Sequence, residues 1–516
     1  MSLLSSFPGS LVKPVKLKLV SNWVLLILGC GLGVVTAYLI VAGSWQLALG
    51  LLLVPPAVIL LHRYPFLAIL VWLILDPFLM TTQTETGRRV YWLIHRALPP
   101  AAVGIMVLSS SLRINRRKLP RVVWPELAMA GYVVASLLSI ILLNDDPLAT
   151  TYLFYDRVFT PMCLYLLVRL SAPDERDLQR LMPIVFFLGV SQSIIGILSW
   201  FAPQVLPSAW LGKAGERTIG SLVNPSTFTS TLMFSGLLLL HAAWNRKPGL
   251  VRTLYISAFV LAAFCVFLSF SRGSWLGGLL VLLLPAMGLI YLYPKVILRL
   301  SMVILPAVMI LGGGLLADQL GWARERLYSE RAEESALSRL PVYYAAYRMF
   351  EARPVVGWGY GNFDRYDRQF QGRVADLVNP AKDHASHNLY LTLIAEQGLI
   401  GFSLFLTPLI WWLILTLKIL PGMPTEGFWS RKLLILFWLI MLNYVVVNNF
   451  HNNRVVFGLG LWWVSLGFIA HMVHSRLVTA GSGVLARARR PISWPGAREP
   501  QPNGNLGHVD LFRGSN

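Results

Sequence analysis

Charge is scarce in this sequence: 13% of its 516 residues, with 24 Asp and Glu against 44 Lys and Arg. A soluble domain carries roughly twice that charged fraction to cover its surface, so a water-soluble fold is excluded. Cysteine is nearly absent. Cys30, Cys163 and Cys265 all lie in apolar runs, with no CxxC pair and no metal-ligand spacing, which excludes a disulfide framework and reads as packing. The two-residue alternation of an outer-membrane barrel is missing. So is any internal repeat. Lys13, Lys16 and Lys18 precede an apolar stretch that resembles a signal peptide, but no clear small-residue cleavage site follows. That stretch reads as a retained first helix.

What the sequence has is apolar length: 56% of residues are hydrophobic, in repeated runs long enough to cross a bilayer. A backbone in hydrocarbon must satisfy its own hydrogen bonds, so these runs predict an all-α polytopic transmembrane helical bundle of 12–14 spans. The candidates are Trp23 to Gly43, Trp45 to Leu61, Pro65 to Met80, Tyr91 to Leu112, Pro125 to Leu143, Tyr152 to Leu170, Leu181 to Ala202, Ser221 to Ala243, Leu254 to Phe270, Trp275 to Tyr293 and Val296 to Leu316. Three more follow a polar gap: Leu389 to Leu420, Leu433 to Phe450 and Val455 to Val473. The second to fourth are short, or interrupted by proline and charge.

With a cytoplasmic N-terminal segment, 1–22, the loops expected inside are the basic ones. Arg113, Arg116, Arg117, Lys118 and Arg121 lie in one, Arg246, Lys247 and Arg252 in another, and Lys295 and Arg299 in a third. This explains the net charge of +20 without nucleic acid. Spans then occupy 23–316 and 387–474, with a long extracytoplasmic loop at 317–386 containing an amphipathic helix over Trp322 to Ala352. Seventy or so residues is long for an idle connector. Beyond 475 the Gly, Pro, Arg and Asn content predicts a disordered cytoplasmic tail.

This topology gathers distant polar clusters on the outer face: Glu216 to Pro225, Ser271-Arg272-Gly273, the loop with Arg339 and Gly357 to Phe363, His384 with His387, and His451 with Arg454. The order SFSRGSWLG, then RLPVYYAAYRMFEARPVVGWGYGNF, then HASHNLYLTLIAEQGLIGF resembles the O-antigen ligase and polymerase superfamily, and RTIGSLVNPSTFTS resembles its upstream asparagine-proline element. The resemblance runs from Arg217 to Phe468. It implies a metal-independent, inverting glycosyltransferase without cofactor, working at the extracytoplasmic face of a bacterial inner membrane. The donor would be an undecaprenyl-diphosphate-linked glycan, and the acceptor another glycan or lipid A-core.

The residue types suit that chemistry. A departing lipid diphosphate needs fixed cations, and the guanidinium fork supplies them: Arg217, Arg272 and Arg339 are the candidates. An acceptor hydroxyl needs a base that is neutral near pH 7, and the family's catalytic histidine maps onto His387. Trp358, Tyr360, Asn362 and Phe363 offer rings and hydrogen-bonding groups for glycan. Blander readings stand beside these. A boundary Arg272 snorkels to headgroups, Arg217 is solvated surface charge, His387 bonds a neighbouring carbonyl or, with Asp383 and His384, a metal, and the glycine-rich stretch is a turn. The rival functions are a transporter of a small anion such as bicarbonate, which calls for polar groups at mid-span and broken helices in repeated halves, and a glycan-binding scaffold.

Overall fold

The computed structural model describes residues 34–112, 119–212, 217–292, 337, 339–372, 388–450 and 456–488. The chain divides into a unit of residues 1–473, described below, and a second of residues 474–516. Among the described residues every regular element is helical. In chain order, α1 is Trp45–Arg63 and α2 Leu67–Leu79; α3 is Glu85–Ser111, with a π turn at Leu93–Ala97; α4 is Trp124–Leu143. Pro147–Phe154, a π turn at Tyr155–Phe159 and Thr160–Ser171 make up α5. Then come α6 (Glu175–Phe201), α7 (Pro225–Trp244), α8 (Leu250–Phe267), α9 (Arg272–Leu292), α10 (Leu340–Ala352), α11 (Phe363–Phe370), α12 (Leu389–Ile419), α13 (Arg431–Asn448) and α14 (Val456–Ala488).

Eight described helices are long and apolar enough to cross a bilayer, or nine if the bent pair α1 and α2 counts as one span. That pair departs from the two straight spans expected there. Its helices meet at 119° around Tyr64 to Phe66, and α2 has only 13 residues. At 1.5 Å per residue it covers about 20 Å, short of a ~30 Å hydrocarbon core. The expected spans at 23–43 and 296–316 lie partly or wholly outside the described residues, as does most of the expected amphipathic helix at 322–352. Of that helix, α10 is the described part. At the C-terminus, α14 runs to Ala488.

Helix starts follow local chemistry. Asn224 accepts from the Thr227 amide at 2.7 Å and Pro225 takes the first turn of α7, where its missing N–H is no loss. Asp174 caps α6 in a reciprocal box with Asp177. At the centre lies α7, its spanning window wholly buried. Small side chains let its neighbours close in: a Cβ at Gly189 would meet Ser235 at 3.0 Å, and one at Gly236 would meet Phe259 at 3.3 Å.

The helix ends sort into two groups. His62, Pro65, Ser109, Ser110, Pro120 and Ser171 line one cavity of about 250 Å³ at the end that also carries the basic loops with Arg246, Lys247, Arg431 and Lys432. At the opposite end, Trp210 donates to Thr81 at 2.9 Å, Thr218 to the Leu268 carbonyl at 3.1 Å, and Asn144 to the Tyr360 carbonyl at 2.9 Å.

Candidate functional site

The segment 217–224 enters this second end as a buried turn. Gly220 has φ +62°, and a Cβ there would strike Gln192 and Phe228, so only glycine fits. Thr218 is fully buried and anchors the turn. It takes the Trp200 indole N–H at 2.6 Å and donates to Leu268, at the end of α8. Arg217, the preceding residue, is half-buried. The 217–224 turn is therefore bonded to the α8–α9 junction.

That junction carries Arg272. Phe270 adopts a left-handed conformation, φ +46°, and its ring packs between Trp200 and Trp275. Ser271, Ser274 and Thr229 follow in a buried hydroxyl chain, at 3.0 and 2.8 Å, that ties α9 to α7. Arg272 opens α9 and is half-buried. A Cβ on the next residue, Gly273, would lie 2.7 Å from the Phe450 side chain, so the glycine lets the end of α13 close on this junction. Next to Phe450, Asn449 receives Asn388 Nδ2, 3.3 Å from its carbonyl. Asn388 caps α12, its side chain accepting from the Tyr390 and Leu391 amides.

These contacts connect the segments that carry Arg217, Arg272 and the start of α12. Each of α7, α9 and α12 begins here, so three helix N-termini, with their partial positive charge, share this end with two arginines. Such a surface favours a multivalent anion. Arg339, half-buried, stands before α10, whose Val342, Ala346 and Met349 cluster with Ala395 and Leu391 of α12. Asn388 is the residue after His387 in the chain; His387, His384, Asp383, His451 and Arg454 lie outside the described residues.

Gly357 to Phe363 docks by its backbone into a break in α12. Trp358 and Gly359 donate to Ala395 and Glu396 at 3.1 and 2.7 Å, while Leu399 and Ile400 donate to Pro354 and Val355 at 2.8 and 3.2 Å. Gly398 (φ +58°) and Gly357 (φ +70°) make the approach possible, since a Cβ on either would strike the facing backbone. The side chains then lock the joint. Asn362 donates to the Leu143 and Trp358 carbonyls, Glu396 accepts from the Phe363 amide, and Tyr360 packs edge-on to Phe154. Tyr360, Asn362 and Phe363 are buried in this joint. Trp358 is half-buried, with Arg353 4.1 Å from its ring and Tyr366 and Phe370 against it. In this conformation the stretch is scaffold for the loop.

Two features were not singled out in the sequence. An apolar cavity of about 320 Å³ opens between α4 and α12, beside the docked loop, lined by Leu138, Leu142, Val356 and Ile400. Within the N-terminal helices, Asp76 and His95 form a buried pair, and Arg96 and Asp156 a half-buried one at 28% and 17% side-chain exposure. The signal for the second was in plain view: ionisable residues interrupting apolar runs.

Residues 257–406 match the O-antigen ligase family. Arg272, Arg339 and His387 fall within the matched stretch, and the 217–224 turn lies upstream of it. The resemblance read from the motifs is borne out, and with it the class of a bacterial membrane protein with glycosyltransferase-like chemistry in polysaccharide assembly. No curated protein matches the chain.

Proposed function

We propose that this end of the bundle binds the diphosphate of a lipid-linked glycan and transfers the glycan, with inversion, to an acceptor hydroxyl. The observation that carries the reading is the joining of the Arg217 turn, the Arg272 junction and the start of α12 through Thr218, Gly273 and Asn388, at three helix N-termini. Guanidinium groups and helix ends are fixed before the reaction, so they stabilise the charge that develops on the departing diphosphate without reorganising. Arg339, ahead of α10, is the third cation. His387 takes the acceptor proton. No step needs a metal. The polyprenyl chain of an undecaprenyl-diphosphate donor runs from this end along the membrane, past the apolar cavity between α4 and α12. The basic loops at the other end support an extracytoplasmic site, in a bacterial inner membrane. Acceptors are another lipid-linked glycan, making a polymerase, or lipid A-core, making a ligase.

One observation favours the anion transporter. The central helix α7 buries Thr227, Thr229, Ser230, Thr231 and Ser235 through mid-span, and α12 is broken at Gly398. Against it, Arg272 opens a helix and Arg217 lies in the turn that leads to one, both at one end of the bundle. The test is the surface glycan of a strain carrying His387→Ala at matched protein level, beside wild type and a deletion. Loss or shortening of glycan with accumulation of lipid-linked precursor supports transfer; normal glycan in the variant alone removes His387 as the base. Unchanged glycan in the deletion, with no redundant enzyme, favours transport.

A further inference from the structure

Two acid–base pairs among the N-terminal helices play no part in the chemistry above. Asp76 near the end of α2 and His95 in the π turn of α3 are both fully buried, with Nδ1 3.0 Å from Oδ1. The second carboxylate oxygen and Nε2 are buried without a protein partner. Tyr91 stacks on the imidazole. Next in sequence, Arg96 grips Asp156 through two hydrogen bonds of 2.6 Å, and Tyr155 donates to the Arg96 carbonyl at 2.7 Å. Asp156 and Tyr155 sit in the π turn of α5.

Ionisable groups inside a bilayer are costly, and unmade hydrogen bonds add to the cost. Apolar packing would join the helices as well. Wide turns within helices are a further mark of functional positions. What the first pair can hold is visible one residue along. Pro77 follows Asp76, and its carbonyl accepts from Ser221 Oγ at 2.8 Å. Ser221 is clamped in turn by Gln192, whose Nε2 reaches the hydroxyl at 2.7 Å and whose Oε1 takes the amide at 3.0 Å. Ser221 belongs to the same buried turn as Arg217.

We propose that Asp76 and His95 are positioning residues: they pin the end of the short helix α2, and through the Pro77 carbonyl hold the 217–224 turn in place beside Arg272. Its functional consequence rests on the reading of Arg217 as a donor-binding cation; the mechanical link does not.

The experiment is hydrogen–deuterium exchange on the full chain in lipid nanodiscs, with donor KM and kcat measured on the same preparations. The variants are His95→Asn, Asp76→Asn with His95→Asn, and Ser221→Ala. His95→Asn and Ser221→Ala speed exchange at amides 219–222 by about tenfold, the factor for losing one hydrogen-bond-scale tether. The double variant, with an amide pair in place of the acid–base pair, regains most of the protection. Donor KM rises more than kcat falls in His95→Asn, and the double variant restores it. Unchanged exchange in Ser221→Ala, where the Asp76–His95 pair is intact, overturns the link, as does unchanged exchange in folded His95→Asn. Faster exchange with unmoved donor KM leaves the positioning role standing and removes Arg217 from the donor site.

Discussion

Arginine has two distinct settings in this molecule. In the N-terminal helices Arg96 is tied by two short bonds to Asp156, and Arg169, 2% exposed, lies 3.3 Å from Glu126. At the α8–α9 junction Arg272 is half-buried and heads a helix. A guanidinium whose fork is occupied by a carboxylate, as in Arg96, stiffens the fold. One placed at a helix N-terminus adds to a positive end, which favours an incoming anion. Position relative to helix polarity therefore separates the two uses better than burial does.

The largest effect expected from this contrast is on Arg272→Ala. It lowers the rate of glycan transfer from a lipid-diphosphate donor by about 100-fold or more, as loss of a charge-stabilising donor does, with Arg272→Lys retaining part of the rate. Loss of Arg169 should instead act on stability, with transfer per folded molecule maintained. Single-turnover kinetics beside thermal unfolding distinguishes the two.

His95→Asn is next. It leaves the Asp76 carboxylate buried without its partner, a change worth roughly 3–5 kcal/mol, and the double variant with Asp76→Asn recovers most of it. Denaturant unfolding in detergent measures both, and equal stability of the single and double variants would deny the pairing.

Gly398→Ala tests the docked loop. The left-handed backbone and the facing Val355 carbonyl make a side chain there cost about 1–3 kcal/mol, read as faster proteolysis within 339–372 while the transmembrane helices stay intact.

The smallest effect concerns Asp145, which is bonded to Arg365. That bond holds the Asp145 carboxyl below its ordinary value. A depressed carboxylate contributes stability above the unfolded pKa and loses it as pH falls through the folded one. The tether between α11 and the α4–α5 loop should therefore loosen only in acid, below the usual carboxylate range, and Asp145→Asn should abolish the pH dependence. Protease nicking of α11 across a pH series checks it. Both groups are exposed, so the change is modest.

How much of this was legible in the sequence depended on the range of each signal. The start of α7 was readable because Asn224, Pro225 and the apolar run after them are neighbours, and capping is local. The polar outer clusters could be gathered because alternation of spans is a counting argument. The bend between α1 and α2 was harder: proline and charge flagged trouble there, but the 119° turn sits among long-range contacts such as Phe66 edge-on to Phe468. Two things were out of reach. Tyr360 and Phe363 carry the same letters whether they face a sugar or a protein interior, and their burial is decided by Ser139, Asn144 and Glu396, far away in the chain. The pairing of Asp76 with His95 likewise joins two helices through side chains alone, although each was visible as an ionisable residue interrupting an apolar run.

The measurement that bears most directly on the central claim is reconstitution of the purified full chain with an undecaprenyl-diphosphate-linked glycan donor and acceptor, following release of the lipid diphosphate. Wild type should release it in step with new glycosidic bond, with Arg272→Ala and His387→Ala both folded and both blocked. Donor left intact by active, folded wild type with acceptor present, or release undiminished in both variants, would contradict the account.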